Sequence, residues 1–152
     1  VDHLGFSTQR GRFNKTSGRI TIDSAARQGT VEVTIDAASI DMGFAKWNDN
    51  MRGENYFNTA AFPSIAFKAD HLVFDGATPV AAEGSLTLLG VTRPLTLTIN
   101  RLHCAPHPLN KRETCGADIV ASLKRSDFGM TKYIPSVGDA VRLLIAVEAY
   151  RE

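Results

Sequence analysis

The chain of 152 residues reads as an all-β protein of antiparallel strands, a barrel or a sandwich, with one short helical insertion. Three observations point there. Seven or eight segments alternate apolar and polar residues with period two, the mark of strands with one dry and one wet face. They follow one another at even spacing, without the alternating helices a parallel sheet requires. Residues 39–61 alone space apolar residues by three and four.

The elements follow in chain order. Residues 4–13 read as a first strand, bent at Gly11. Residues 17–23 set Ile20 and Ile22 against Arg19, Thr21 and Asp23; residues 29–36 set Val31, Val33 and Ile35 against Glu32, Thr34 and Asp36. In the insertion Phe44, Trp47 and Met51 suit one or two helical turns, with Asp41 as the expected cap and Gly53 as the end. Residues 63–74 return to alternation, with Ile65, Phe67, Ala69, His71 and Val73 expected on one face.

The clearest element is residues 84–104, GSLTLLGVTRPLTLTINRLHC. Leu86 and Leu88, then Leu95, Leu97 and Ile99, stand in two alternating runs, so the segment reads as a β-hairpin turning over residues 90–94. Gly90 tolerates a positive φ, and Pro94, lacking a donor, suits the first residue of a strand. Residues 115–123 alternate Ala117, Ile119, Ala121 and Leu123; a turn-rich stretch, 125–139, follows. Residues 140–150 close the pattern with Val141, Leu143, Ile145 and Val147.

Composition removes several classes of function. Seventeen Lys and Arg against sixteen Asp and Glu give a formal charge of +1, with no basic run longer than two residues. A phosphate-tracking stripe, and with it nucleic-acid binding, is unsupported. No apolar run approaches the roughly 20 residues of a bilayer-spanning helix. No leader heads the sequence, and a start at Val1 reads as a mature or trimmed form. Motifs for a hydrolase elbow, a zinc protease, a phosphate loop or a dinucleotide fold are missing. Asp41, Asp49 and Glu54 share the insertion and are the acid–base alternative, but no nucleophile or metal motif accompanies them. The expectation is therefore no catalytic residue, no metal and no cofactor.

Cys104 and Cys115 bracket a segment with two prolines, an asparagine and several charges. It reads as a loop stapled at its base by a disulfide, a bond that persists mainly outside the cytosol. A rival reading makes His103, Cys104, His107 and Cys115 a zinc site, and a third leaves two free thiols. Against zinc, neighbouring residues of a strand point to opposite faces, and no CxxC pair is present.

Several segments together resemble the YceI-like family of bacterial periplasmic lipid-binding proteins. They are His3-Leu4-Gly5 with Gly11 and Phe13; SIDMG at 39–43; residues 50–57 before FPSIAF at 62–67; LTLLGVTRPLTL at 86–97; RSDFGM at 125–130; and VGDAVRLLIAVEA at 137–149. Each is weak alone, but the six occur in the family's order over nearly the whole chain, 1–152, taken as one domain. The resemblance implies an elongated, eight-stranded, lipocalin-like barrel whose interior holds a polyisoprenoid, isoprenoid quinone or similar amphiphile, in an exported, periplasmic protein. Family members usually carry a further stretch before the histidine-glycine motif, so either that stretch lies outside this sequence or one seam of the barrel is incomplete, an edge that would invite a homodimer. Asn50 and Met51 stand where the family often shows His-Leu.

On this reading the protein is a carrier that exchanges its guest at a membrane surface. The apolar faces nominate Phe13, Ile22, Val33, Ile35, Phe67, Leu86, Leu88, Leu97, Ile99 and Ile119 as the lining. The mouth is expected to carry Phe44, Trp47, Asn50, Met51 and Phe57 from the insertion, with Phe128 and Met130 from RSDFGM. Arg125 and Asp127 are read either as a pair that positions a polar head or as turn caps. The competing class is an interaction or stress-related module whose core is filled by its own side chains.

Overall fold

A computed structural model describes residues 1–150, so Arg151 and Glu152 of the expected domain lie outside the described residues. Eleven strands and one α-helix follow in order: β1 (Asp2–His3), β2 (Ser7–Thr8), β3 (Arg12–Phe13), β4 (Thr16–Asp23), β5 (Gln28–Asp36), β6 (Ile40–Asp41), α1 (Ala45–Arg52), β7 (Ser64–Asp75), β8 (Thr78–Leu88), β9 (Val91–Pro106), β10 (Glu113–Lys124) and β11 (Ala140–Tyr150). Two 3₁₀ turns, Ala37–Ser39 and Arg125–Phe128, complete the set.

Seven strands form one curled antiparallel sheet in the order β11-β10-β9-β8-β7-β5-β4. The all-β antiparallel class and the single short helix stand as expected, and seven strands rather than eight build the main sheet. Its margins, β4 and β11, share no ladder among the described residues, so the sheet is an open half-barrel. The expected first strand over residues 4–13 is instead two two-residue pieces, β2 and β3, with β2 pairing β1 and β3 pairing β6.

Register shows why one face is dry. Val33 lies opposite Phe67, Ile35 opposite Ile65, Ala82 opposite Leu97, and Ile119 between Ile99 and Ile145. Directly opposed residues share a face. Val31, Ile65, Phe67, Ala69, Leu72, Ala82, Leu86, Leu88, Leu95, Leu97, Ala121 and Phe128 form the buried cluster there.

Besides a slip between Val73 and Phe74 near the end of β7, two irregularities shift the alternation away from the simple pattern. The β7–β8 ladder slips between Lys68 and His71, so Leu72 is buried while His71 turns outward to a Glu83 carboxylate 2.9 Å away. The expected facing of His71 with Phe67 is thus reversed by one bulged residue. A second slip, at Asp118/Ile119, gives Arg101 and Ile99 adjacent partners and leaves Asn100 as the extra residue. The β8–β9 hairpin turns on Leu89 and Gly90, both at positive φ (52° and 73°), and strand resumes at Val91 rather than at Pro94. That φ pair suits the tight two-residue turn of a twisted hairpin. A Cβ on Gly90 would approach Phe62 Cε1 to 2.9 Å.

Alternating strand direction sorts the connections to two ends. One end gathers β1 and β2, α1, both 3₁₀ turns, the β8–β9 turn and residues 129–139. The other holds the turns after β4 and β7 and the β9–β10 loop.

Candidate functional site

The candidate site is the inner face of the half-barrel and the end where the connections are longest. Of the nominated lining, Phe67, Leu86, Leu88 and Leu97 are buried, Phe13, Val33, Ile35 and Ile119 are half-buried against them, and Ile99 is half-buried opposite Ile119. Ile22 shares this face through its pairing with Gly29, but β4 is a margin and Ile22 is 42% exposed. The pairing register adds Leu95, Leu143 and Ile145, whose apolar alternation was visible but whose common face depended on knowing the strand partners.

The helix forms where expected and begins differently. Phe44 occupies the N-cap position with no side-chain cap hydrogen bond, and Gly53 ends the helix, its N–H donating to the Asn50 carbonyl at 3.1 Å. Asp41 is not the cap. Its carboxylate accepts the Gly43 N–H at 2.8 Å and the Asn48 side-chain amide at 3.2 Å, and it holds the turn before the helix. The Gly43 N–H, then the Asn48 and Asn14 amides, lower its pKa below the usual carboxylate value. Arg52 ties the helix end to the first 3₁₀ turn through the Ala38 carbonyl at 2.9 Å, and its guanidinium meets Asp49 at 3.2 Å. These bonds give Asp41 and Asp49 structural partners.

The expected mouth residues divide. Phe44 is 58% exposed, Asn50 is exposed, and Trp47 and Met51 are half-buried, with the Trp47 ring 6.3 Å from that of His3. Phe57 turns inward and meets Phe13 edge-on, centroids 5.3 Å apart. Phe128 (3% exposed) and Met130 (6%) belong to the core rather than to an opening, because the turn that carries them is pulled in by Arg125.

Arg125 is the buried charge of the described core, 3% exposed. Its guanidinium donates to the carbonyls of Gly138 (2.8 Å), Met130 (2.8 Å), Lys132 (2.9 Å) and Val137 (2.8 Å). With those donors committed to backbone, Arg125 holds the 130–138 segment in place, and the sequence expectation of a head-group contact gives way to this role. Its neighbour Ser126 donates both its N–H and its hydroxyl to Asp139, at 2.9 and 2.8 Å, which lowers the Asp139 pKa. Asp127 is exposed, and its carbonyl accepts from Arg93 at 3.1 Å. Burial raises the Tyr56 pKa, against the opposing charge of Arg125.

A groove of about 470 Å³ opens beside this turn and reaches Leu95, Leu123 and Phe128, with Arg93, Lys124 and Asp127 on its margin. A larger one, about 550 Å³, lies at the opposite end on the outer face, between Arg101, His103, Asp118 and Glu148, and includes none of the nominated lining residues. At that end Cys104 and Cys115 are paired residues of β9 and β10 and form the disulfide. With both sulfurs bonded to each other, the rival zinc arrangement loses its two thiolates.

Comparison with known proteins places this geometry. A UPF0312 protein of Shewanella sp. (strain W3-18-1) is 31% identical over 153 residues, covering 100% of this chain and 80% of that protein. A UPF0312 protein of Pseudomonas aeruginosa is 30% identical, with 100% and 79% covered. Among solved structures, the YCEI protein of Campylobacter jejuni superposes with a TM-score of 0.84 at 24% identity, over 100% of this chain and 90% of that one. BcnA of Burkholderia cenocepacia gives 0.75 at 26% identity, over 91% and 86%. A polyisoprenoid binding domain of Saccharophagus degradans gives 0.60 at 18% identity, over 92% and 83%, a likeness of fold alone. The model of the YceI-like domain matches residues 1–149. Sequence, topology and superposition agree, and the chain belongs to the YceI-like family.

Proposed function

We propose that the protein binds the apolar chain of a long amphiphile, a polyisoprenoid, isoprenoid quinone or similar lipid, along the inner face of its half-barrel. The observation that carries this reading is an apolar face its own chain leaves partly uncovered. Val33, Ile35, Ile99, Ile119, Leu143 and Ile145 share the face of the buried cluster yet remain only half-buried. Ile20 and Ile22, on the same face at the margin, are 36% and 42% exposed.

Apolar surface left in water is costly, and each CH₂ of a guest moved onto it contributes about 0.8 kcal/mol. A bilayer interior is equally dry, so transfer between membrane and protein is close to balanced in free energy while release into water is not. That balance suits a carrier. The disulfide fits an oxidising compartment, and we place the protein in the periplasm, as the family suggests. The binding named for the Saccharophagus domain is consistent with the same ligand class.

The test is extraction. Protein exported by a Gram-negative host and purified without detergent is denatured, extracted with organic solvent and analysed by mass spectrometry. A single class of long-chain amphiphile near one equivalent is the expected result. A lipid-free extract overturns the carrier reading in favour of a fold filled by its own side chains.

A further inference from the structure

We propose that the end of the half-barrel bearing Leu4, Phe6, Phe44, Tyr133 and Ile134 is a docking surface for an anionic phospholipid bilayer. The proposal rests on the carrier reading and identifies where such a carrier meets its membrane.

Exposed apolar side chains are not scattered evenly over the molecule. Of the ten large ones exposed among the described residues, five lie here: Phe6 (90%), Phe44 (58%), Leu4 and Tyr133 (54% each) and Ile134 (36%). Backbone bonds bring their segments together. The Leu4 N–H donates to the Ser136 carbonyl at 2.8 Å, the Gly138 N–H donates to Asp2 at 2.9 Å, and His3 bridges Val137. On the other side the ring of His3 lies 6.3 Å from that of Trp47, one helical turn beyond Phe44. A gathered patch of this kind on a soluble protein marks an interaction surface.

Charge selects the partner. Residues 2–10, 43–47 and 131–136 carry Arg10, Lys46 and Lys132 against a single carboxylate, Asp2, which already accepts the Gly5 N–H at 3.0 Å. These three segments, which carry the exposed apolar tips, sum to a formal +2 against +1 for the whole chain, while Asp41, Asp49, Glu54, Asp127 and Asp139 lie in the neighbouring stretches of the same end. Lys132 lies 5.3 Å from the Tyr133 ring, an ammonium beside an amphipathic aromatic. Aromatic and aliphatic tips that enter the acyl boundary, ringed by cations that meet lipid phosphates, are the composition of an interfacial membrane site. A protein partner of ordinary polarity would not require that combination.

Flotation with vesicles tests it, using the whole chain. Vesicles of phosphatidylethanolamine with about one third phosphatidylglycerol supply the anionic surface, and pure phosphatidylcholine vesicles the neutral one. The wild type is expected to float with the former and largely not with the latter. Phe6→Asp should lower partitioning roughly tenfold or more, and Lys132→Glu about fivefold. Leu144→Asp, an equally exposed apolar site at 67% on the outer face of β11, should leave partitioning unchanged. Absence of wild-type binding to anionic vesicles, or equal losses for Phe6→Asp and Leu144→Asp, overturns the proposal. Near-UV circular dichroism confirms that each variant is folded, and Lys132→Glu keeps the test decisive should Phe6→Asp not fold. The outcome is separable from the extraction experiment: lipid in the extract with no flotation fails this surface alone, and flotation with an empty extract fails the carrier reading.

Discussion

The ring of Phe67 lies across Gly84, and a Cβ built on the glycine would stand 2.8 Å from Phe67 Cζ. The same Cβ would strike the Lys68 carbonyl oxygen and come within 2.7 Å of the Ala69 Cβ. The strand face here is closed by an aromatic from the neighbouring strand, and glycine is what lets β7 and β8 come this close. Gly84→Ala therefore forces backbone to move, and an overpacked core typically costs about 1–3 kcal/mol. A urea titration should show the midpoint fall with the slope unchanged.

Removing the Arg125 guanidinium leaves four carbonyls, those of Met130, Lys132, Val137 and Gly138, without their donor. Arg125→Met should destabilise the fold by about 1–3 kcal/mol or more, since buried polar groups lose their partners. Arg125→Lys recovers little, because an ammonium lacks the planar fork that reaches several carbonyls at once. Amide exchange should quicken first over residues 129–139, ahead of β7 to β9.

Asp139 sets the sign of the acid response. Its folded pKa lies below the ordinary carboxylate value, because the Ser126 N–H and hydroxyl favour the charged form. A group depressed on folding contributes stability that is present above its unfolded pKa, near 3.9, and is lost as pH falls through the folded value. Asp41 acts in the same direction. Stability followed by thermal melts should be flat near neutrality and drop below about pH 4, and Asp139→Asn should make that drop shallower while lowering the neutral plateau.

Reduction of Cys104–Cys115, separated by 11 residues, releases a short loop, for which the chain-entropy model gives about 3 kcal/mol. The Cys104→Ser and Cys115→Ser double variant should show that loss in urea, and a reducing agent should then have no further effect on it. The loosening should concentrate in residues 104–115 and spare the inner face, so vesicle binding should persist.

Much of the fold was legible because a strand with one dry face must alternate. Val31, Val33 and Ile35 opposite Phe67 and Ile65 follow directly from that rule. What the rule misses is a single extra residue. Nothing in SIAFKADHLVF signals that the ladder slips after Lys68, yet the slip decides that Leu72 and not His71 is buried. Asp41 had the chemistry of a helix cap and spends it on the preceding turn, three residues too early for the helix. The RSDFGM run drew notice as an opening, whereas burial of Phe128 and Met130 depends on a guanidinium whose partners lie up to 13 residues away. Local pattern reports faces; it does not report which distant carbonyl a long side chain will reach.

The two ends of the molecule differ in what must break for each to open. At one, β9 and β10 are joined by a covalent bond. At the other, residues 130–138 are held by hydrogen bonds to one guanidinium, by a single bridge from His3 to Val137 and by backbone bonds to Asp2 and Leu4. Local opening favours the weaker fastening, so it is expected first at the second end. The two ends are thus fastened unequally, one by a covalent bond and the other by hydrogen bonds alone, and amide exchange should be faster at the second.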